Sequence, residues 1–378
     1  MKKFTFFRII FIVGFFTLTT MISLAQYKPP TGCSYLDINN VKALFRASGL
    51  QFLEDSTQYE VPKGSGKYSI FSNSLWIGGK DDQGNLHLAA ERYRQGPNTS
   101  QPMTKPDFYA GPVMDSVYYS VAQDSNWNYI WNLKKADIEY HKAHYQDAGY
   151  HLIYDILTWP GNGDTILGQA WQLAPFSDHN GDGIYNPSDG DYPSIRGDQA
   201  VFFIYNDDRG PHKETQGEKL RLEIHGMGYA FDMPEDTAMK NTVFLNYKIY
   251  NRSQKTYDST YLGIFTDIDL GFAYDDFVGC DVERSMYFGY NGRPIDGSGQ
   301  INEYGANPPA QAVTVLAGPY MDKDYLDNPR FDNNGNQLCD YSVNGTNFGD
   351  EIIDNERFGL TGFAYINNSV SGVPSYMQ

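Results

Sequence analysis

The sequence predicts a mainly β protein, with β-sandwich-like domains and one or two short helices. Three observations carry that expectation. Aromatic residues make up 15% of the chain, and 30 of them are tyrosines, whose rings suit strands and whose hydroxyls tolerate partial exposure. Short apolar or alternating runs are separated by turns rich in Gly, Asn and Asp. Only one segment has the pattern of a longer helix. Short strands with frequent turns favour sandwiches or barrels over a parallel α/β fold.

Residues 1–25 read as a secretory signal. Lys2, Lys3 and Arg8 precede an apolar stretch from Ile9 to Leu24, and Ser23-Leu24-Ala25 supplies the small-residue cleavage site before Gln26. The alternative is an uncleaved anchor, since the run approaches the roughly 20 residues that span a bilayer. Removing those three cations and no acid makes the formal charge of −17 three units more negative. Such a chain repels phosphate backbones, which argues against nucleic-acid binding, and attracts divalent cations. No later segment is long and apolar enough to cross a membrane.

The mature chain divides on paper into a β-rich region over 26–130, a helical connector over 131–150 and a larger β-rich region over 151–378. An extended leader opens the first region, followed by a short helix: Asn39 or Asn40 caps it, Val41, Leu44 and Phe45 share a face, and Gly49 ends it. Ser69–Ile77 is a strand stopped by Gly78-Gly79. Asp81-Asp82-Gln83-Gly84-Asn85 is a hairpin turn into the strand Leu86–Ala90, and Gln95–Pro112 is a long loop. Lys134–Gln146 is the longer helix. Beyond it, Ala200–Tyr205 is apolar enough to be buried on both faces. Thr242–Tyr250 alternates, with Val243, Leu245, Tyr247 and Ile249 facing one way, and Tyr261–Thr266 and Gln311–Leu316 are further strands.

The strongest local motif runs from Asp178 to Asp189. Calcium takes six to eight hard oxygens, and a twelve-residue loop supplies them at positions one, three, five, seven and twelve. Those positions are Asp178, Asn180, Asp182, the Ile184 carbonyl and Asp189, with Gly183 at the sharp turn and Asp191 as a reserve ligand. Pro187 and Pro193 argue against a following helix, so the loop is expected between strands. A second cluster comprises Asp267, Asp269, Asp275, Asp276 and Asp281. Its first two carboxylates lie on one side of a strand and repel unless a cation lies between them. A third, with Asp332, Asn334, Asn336 and Asp340, repeats the one-three-five spacing with fewer charges and has Gln337 where a glycine is expected. All-oxygen ligands point to calcium as the cofactor. The competing reading of each is a solvated acidic turn. The fold class is thereby completed as a β protein with long calcium-binding loops.

Other features carry less. His141 and His144 share a helix with no third or fourth zinc ligand, and read as ordinary surface histidines. Arg196-Gly197-Asp198 spells an adhesion tripeptide, but three residues recur by chance. Trp127, Trp131 and Trp159 are candidates for stacking on sugar rings. Cys33, Cys280 and Cys339 are too few for a disulfide scaffold; a Cys280–Cys339 bridge and three free thiols are both open. Zinc-protease, nucleophile-elbow, phosphate-loop and dinucleotide motifs are all absent from the sequence, and no acid pair is singled out for glycoside hydrolysis.

Five segments together resemble a family of large secreted Bacteroidota surface proteins: Tyr59–Gly79, Leu173–Asp198, Thr266–Asp281, Tyr304–Pro319 and Phe348–Glu356. Members commonly end in a type IX secretion sorting domain, and the family supplies no agreed catalytic residues. Asp115-Ser116-Val117, Asp164-Thr165-Ile166 and Asp236-Thr237-Ala238 also resemble the O-glycosylation tripeptide of that phylum. The resemblance implies a secreted or cell-surface protein, and type IX machinery as a partner if the parent chain is longer. The expected function is therefore a non-enzymatic, calcium-stabilised scaffold for adhesion or for the envelope or matrix, with a surface glycan or protein as its ligand. The alternative is a secreted hydrolase or a glycan-binding module of a polymer degrader.

Overall fold

A computed structural model describes residues 31–53, 58–93, 106–336, 345–367 and 375–376. The first part carries β1 (Cys33–Leu36), β2 (Lys42–Arg46), β3 (Leu50–Gln51), β4 (Tyr59–Glu60), β5 (Tyr68–Ile70), β6 (Ser72–Asp81), β7 (Leu86–Ala89) and β8 (Tyr109–Ala110). The helices cluster next, as α1 (Val121–Asn126), α2 (Lys135–His144) and α3 (Tyr154–Leu157), with β9 (Trp131–Lys134) between the first two. Strands return as β10 (Phe176–Ser177), β11 (Tyr192–Pro193), β12 (Gln199–Asn206), β13 (Leu222–Ala230), β14 (Phe244–Asn251) and β15 (Tyr257–Asp267). The last group is β16 (Asp276–Asp281), β17 (Met286–Asn291), β18 (Ile295–Asp296), β19 (Gly305–Ala306) and β20 (Ala310–Thr314). The protein is mainly β, as expected, and its strands pair antiparallel in small sheets of two to five strands.

The core forms around β12, whose eight residues are all buried. Val201, Phe203 and Tyr205 point into one apolar cluster with Phe45, Phe52, Ile77 and Phe108. Ala200, Phe202 and Ile204 point into a second, with Trp131, Ile156, Trp159 and Leu173. Burying each large apolar side chain contributes about 1.5–3 kcal/mol, so a strand buried on both faces anchors the molecule. β13 accepts this packing by shedding side chains. A Cβ on Gly226 would lie 2.3 Å from the Phe203 ring, and one on Gly228 would lie 2.3 Å from the Phe45 ring. β14 closes the sheet, with Val243, Leu245, Tyr247 and Ile249 packed on the first cluster as their alternation predicts.

The expected short helix after Asn39 is a strand instead. Asn39 accepts the Val41 N–H in a local turn, and β2 then pairs with β1 and β4. Leu44 and Phe45 are both fully buried, so the segment is covered on two faces and tertiary packing overrides the apparent helical stripe. Gly78-Gly79 does not stop β6 either. The strand runs on to Asp81 because the glycines admit β15 closely, with Thr260 Oγ1 3.0 Å from where a Gly79 Cβ would stand. The Asp81–Asn85 turn forms as expected, and Gly84 takes the left-handed conformation there. β8 falls within the stretch expected as a long loop, of which residues 95–105 lie outside the described part.

Helix α2 matches its prediction, but the sheets do not divide at it. β8 and β9, which precede it, pair with β12, while β6 pairs with β15 far downstream. The N-terminal and C-terminal β regions therefore share sheets. The signal segment lies outside the described residues. Among those described, no helix is long and apolar enough to cross a membrane.

Candidate calcium sites

The Asp178 loop bridges β10 and β11, which pair Phe176 with Pro193 and Ser177 with Tyr192. It is thus a hairpin loop, and only a single 3₁₀ turn over Pro187–Asp189 occupies the place of a helix. Asp178 Oδ1 accepts the Gly181 N–H and Oδ2 accepts the Gly183 N–H, both at 2.7 Å. The two glycines sit at φ +75° and +77°, which turns their N–H groups back toward the carboxylate. Asn180 Oδ1 accepts the Asp182 N–H at 3.1 Å, and Asp182 Oδ1 accepts the Ile184 N–H at 2.7 Å. Positions one, three and five thus follow one another along a single coil.

The other two carboxylates behave differently. Asp189 Oδ2 accepts the Asn186 side-chain amide at 2.6 Å. Asp191, expected as a reserve ligand, is fully buried and staples the loop: it accepts the His179 N–H at 2.7 Å and the Asn186 N–H at 2.8 Å. The Ile184 side chain is exposed. Beneath the loop, the buried His141 ring lies 3.0 Å from the Asp191 carbonyl and 3.0 Å from the Tyr150 hydroxyl. His141 is therefore a structural prop and not a surface histidine; its i to i+4 spacing from Tyr145, whose ring lies tilted beside it, was the missed signal. His144 pairs with Asp147 at the surface.

The second cluster gathers more charge than its spacing suggested. Asp269 is pushed up to about 7 by burial and by the neighbouring Asp267 and Asp276. Asp276 is pushed up to about 6 by burial, with Asp275 and Asp296 adding to the rise against one backbone hydrogen bond. Asp276 Oδ2 accepts the Leu270 N–H at 2.8 Å, while its Oδ1 is buried with no hydrogen-bond partner. Asp275 Oδ1 accepts the Asn291 amide at 2.9 Å. Asp296, absent from the sequence reading, is fully buried and accepts the Phe272 and Tyr304 N–H groups. It was missed because it comes from β18, 20 residues past Asp276; the Gly-rich turn after it was the available signal. Asp281 does not join the cluster, for it lies at the far end of β16 and pairs with Arg284.

The third loop closes as an ordinary turn. Asp332 Oδ1 accepts the Asn334 and Asn336 N–H groups at 2.8 Å each, and Oδ2 accepts the Asn336 amide at 3.0 Å. Asp81 does the same with Gln83 and Asn85 in the β6–β7 hairpin. Asp-x-x-Gly-Asn is common to both, and it makes a turn that satisfies its own carboxylate. Asp340 and Gln337 lie outside the described residues, as does Cys339, the expected partner of the half-buried Cys280. Among the described residues, no three His, Cys, Asp or Glu side chains are grouped so as to hold a metal.

Trp131 and Trp159 are 5% and 4% exposed and belong to the second core cluster, and Trp127 packs against both clusters. Trp131 and Trp159 therefore offer no free face for a sugar, while Trp127 is half-buried. In the Arg196-Gly197-Asp198 tripeptide, Gly197 has φ +69° and Asp198 Oδ2 accepts the Asp232 N–H, so the acid shapes a turn. No protein-family model matches the chain, and no curated protein or solved structure is detectably similar to it.

Proposed function

We propose that the chain is a secreted or cell-surface scaffold of β-sandwich-like build, non-enzymatic, whose loops are stabilised by calcium and which serves adhesion or envelope or matrix architecture. The observation that carries this reading is the orphaned Oδ1 of Asp276 amid Asp267, Asp269, Asp275 and Asp296. A buried polar atom without a partner is costly, and like charges in a partly buried site repel. A hard divalent cation relieves both. As they stand, Asp267, Asp269 and Asp276 are not grouped around one point, so they would have to draw together around the ion, which would neutralise their charge between strands. The Asp178 loop is the second candidate, with Asp178, Asn180, Asp182 and the Ile184 carbonyl as donors and Asp191 as the staple beneath. Extracellular calcium modules bind at about 0.1–1 mM, so affinity in that range suffices outside a cell.

Export is supported by the charge and apolar pattern of residues 1–25 and by the resemblance to secreted Bacteroidota proteins. Type IX machinery follows as a partner only if the parent chain carries a sorting domain. For the rival reading, a hydrolase or glycan-binding module, Trp131 and Trp159 are unavailable as a sugar platform because both are buried. The deciding experiment is thermal unfolding with calcium and with chelator. A higher midpoint in calcium supports the scaffold reading, and equal midpoints remove calcium from it.

A further inference from the structure

Between β12 and β13 the chain makes a long excursion over 207–221 that lies against β7. The Leu88 N–H donates to the Glu218 carbonyl at 3.1 Å, and a Cβ on Gly217 would come 2.7 Å from the Leu88 carbonyl oxygen. This excursion joins two sheets, since β7 belongs with β6 and β15 while β12 and β13 form the central sheet. At its centre is His212, with a fully buried side chain. Its Nδ1 lies 2.6 Å from the Leu88 carbonyl oxygen and its Nε2 lies 2.9 Å from the Asp207 carbonyl oxygen. A carbonyl oxygen only accepts, and a neutral imidazole has one N–H and one lone pair. In the neutral ring one nitrogen would therefore face a carbonyl lone pair to lone pair.

We infer that His212 is held as a doubly protonated imidazolium and acts as an alkaline-release latch, clamping the 207–221 excursion to β7 until the ring loses a proton. The surrounding charges agree. From the excursion, the Asp207 carboxylate stands 3.4 Å from Nε2, and from the segment before β8 comes Asp107, itself fully buried. Burial alone would lower the ring's pKa, but the Asp207 and Asp107 interactions outweigh it and hold it above the usual histidine range. The remaining charged groups nearby are otherwise engaged. Glu214 pairs with Arg92, Lys219 lies against Asp208, and Glu91 accepts the Asp107 and Phe108 N–H groups. His87, on β7, is set differently. It also faces a carbonyl, that of Lys219, but its Nε2 lies between the Asp81 carboxylate at 3.1 Å and the Lys255 ammonium at 3.3 Å. Among the described residues, no lysine ammonium faces His212 in this way.

The sign follows from linkage. A histidine whose folded pKa is raised contributes stability that is complete below its unfolded value, about 6.5, and is lost as pH rises through the folded value. Asp207 also accepts the Leu220 and Leu222 N–H groups, so loosening at His212 reaches the end of the excursion where β13 begins. Glu91 titrates in the same interval, pushed up to about 8 by burial, so a bulk melting curve cannot separate the two.

The test is ring-nitrogen NMR on full-length protein labelled at histidine, in the wild type and in Glu91→Gln, from about pH 5 to about pH 9. The His212 signal is identified by its loss in His212→Gln or, if that variant does not fold, by through-space contacts to Leu88. Both ring nitrogens are expected to be protonated at neutral pH. Amide exchange at Leu88, Leu220 and Leu222 should then quicken, beyond its intrinsic pH dependence, by about tenfold per pH unit as the ring deprotonates. A single protonated ring nitrogen at neutral pH overturns the proposal. So does exchange at those amides that ignores the His212 titration in Glu91→Gln.

Discussion

The Asp178–Asp191 hairpin loop and the junction of Asp267, Asp269, Asp275, Asp276 and Asp296 are both acidic, and they dispose of their charge in opposite ways. In the hairpin loop, every carboxylate has a hydrogen-bond donor within the loop itself: Gly181 and Gly183 for Asp178, Ile184 for Asp182, Asn186 for Asp189, and His179 and Asn186 for Asp191. In the junction, donors run out. Asp276 keeps one buried oxygen without a partner, and Asp269 is pushed up to about 7. Calcium-like spacing therefore marks a loop that can satisfy itself, whereas unsatisfied charge collects at the junction of β15, β16 and β18.

The largest effect expected from this contrast is in the hairpin loop, at its buried staple. Asp191→Ala removes a buried acceptor from two N–H groups, each hydrogen bond to a charged group being worth about 1.5–3 kcal/mol. A loss of about 3–5 kcal/mol in chemical denaturation is expected, against about 1–2 kcal/mol for the half-buried Asp178→Ala. Equal losses at the two positions would mean that Asp191 is not the staple.

Calcium comes next. At a hundred times its dissociation constant, an ion that binds only the folded state adds about 2.7 kcal/mol. The midpoint in calcium should therefore exceed that in chelator by about 5 °C. Asp276→Asn should abolish most of that difference while raising the midpoint in chelator, because it removes a buried charge that lacks a counter-ion. If Asp178→Asn abolishes the difference and Asp276→Asn leaves it intact, the two regions have exchanged roles.

A third way of handling a buried carboxyl sharpens the comparison. Glu91 has two N–H donors, from Asp107 and Phe108, yet burial pushes it up to about 8, with Asp107 and Glu214 adding to the rise. Its folded pKa lies above the unfolded value of about 4.5, so the folded state holds a proton that the unfolded state has released. Stability should fall as pH rises from about 4.5 to about 8, with about 2 kcal/mol of the change between pH 6 and pH 8. Glu91→Gln should flatten that slope, as read by denaturant midpoints across the range.

Much of the central sheet was legible in the sequence. Ala200–Tyr205 is a strand buried on both faces, and Val243, Leu245, Tyr247 and Ile249 alternate onto the core. Both signals depend on residues adjacent in the chain. The failures depend on residues far apart. The segment after Asn39 became β2 because β1 and β4 pair with it and both of its faces are buried, and Gly78-Gly79 stayed inside β6 because β15 approaches them from some 180 residues away. The junction was half legible: Asp267–Asp276 is a visible cluster, but Asp296 joins it from β18 by accepting the Phe272 N–H. His212 was half hidden for the same reason: Asp207 is near it in the chain, but its other acceptor comes from β7.

The smallest effect expected is at Asp332, and it tests how far spacing alone can be trusted. Asp332 and Asp81 make the same carboxylate-closed turn, in Asp-x-x-Gly-Asn sequences with Gly335 and Gly84 both left-handed. The surroundings differ. Asp81 is buried and also carries Lys255 at 2.8 Å and His87 at 3.1 Å, whereas Asn334 and Asn336 beside Asp332 are exposed. Asp332→Ala should then cost less than about 1 kcal/mol, the ordinary net worth of a surface hydrogen bond, and leave the calcium response unchanged. Asp81→Ala should cost several times more, because it strands a buried ring and an ammonium together. A loss of calcium response in Asp332→Ala would show instead that the one-three-five spacing recruits an ion even where the turn already satisfies itself.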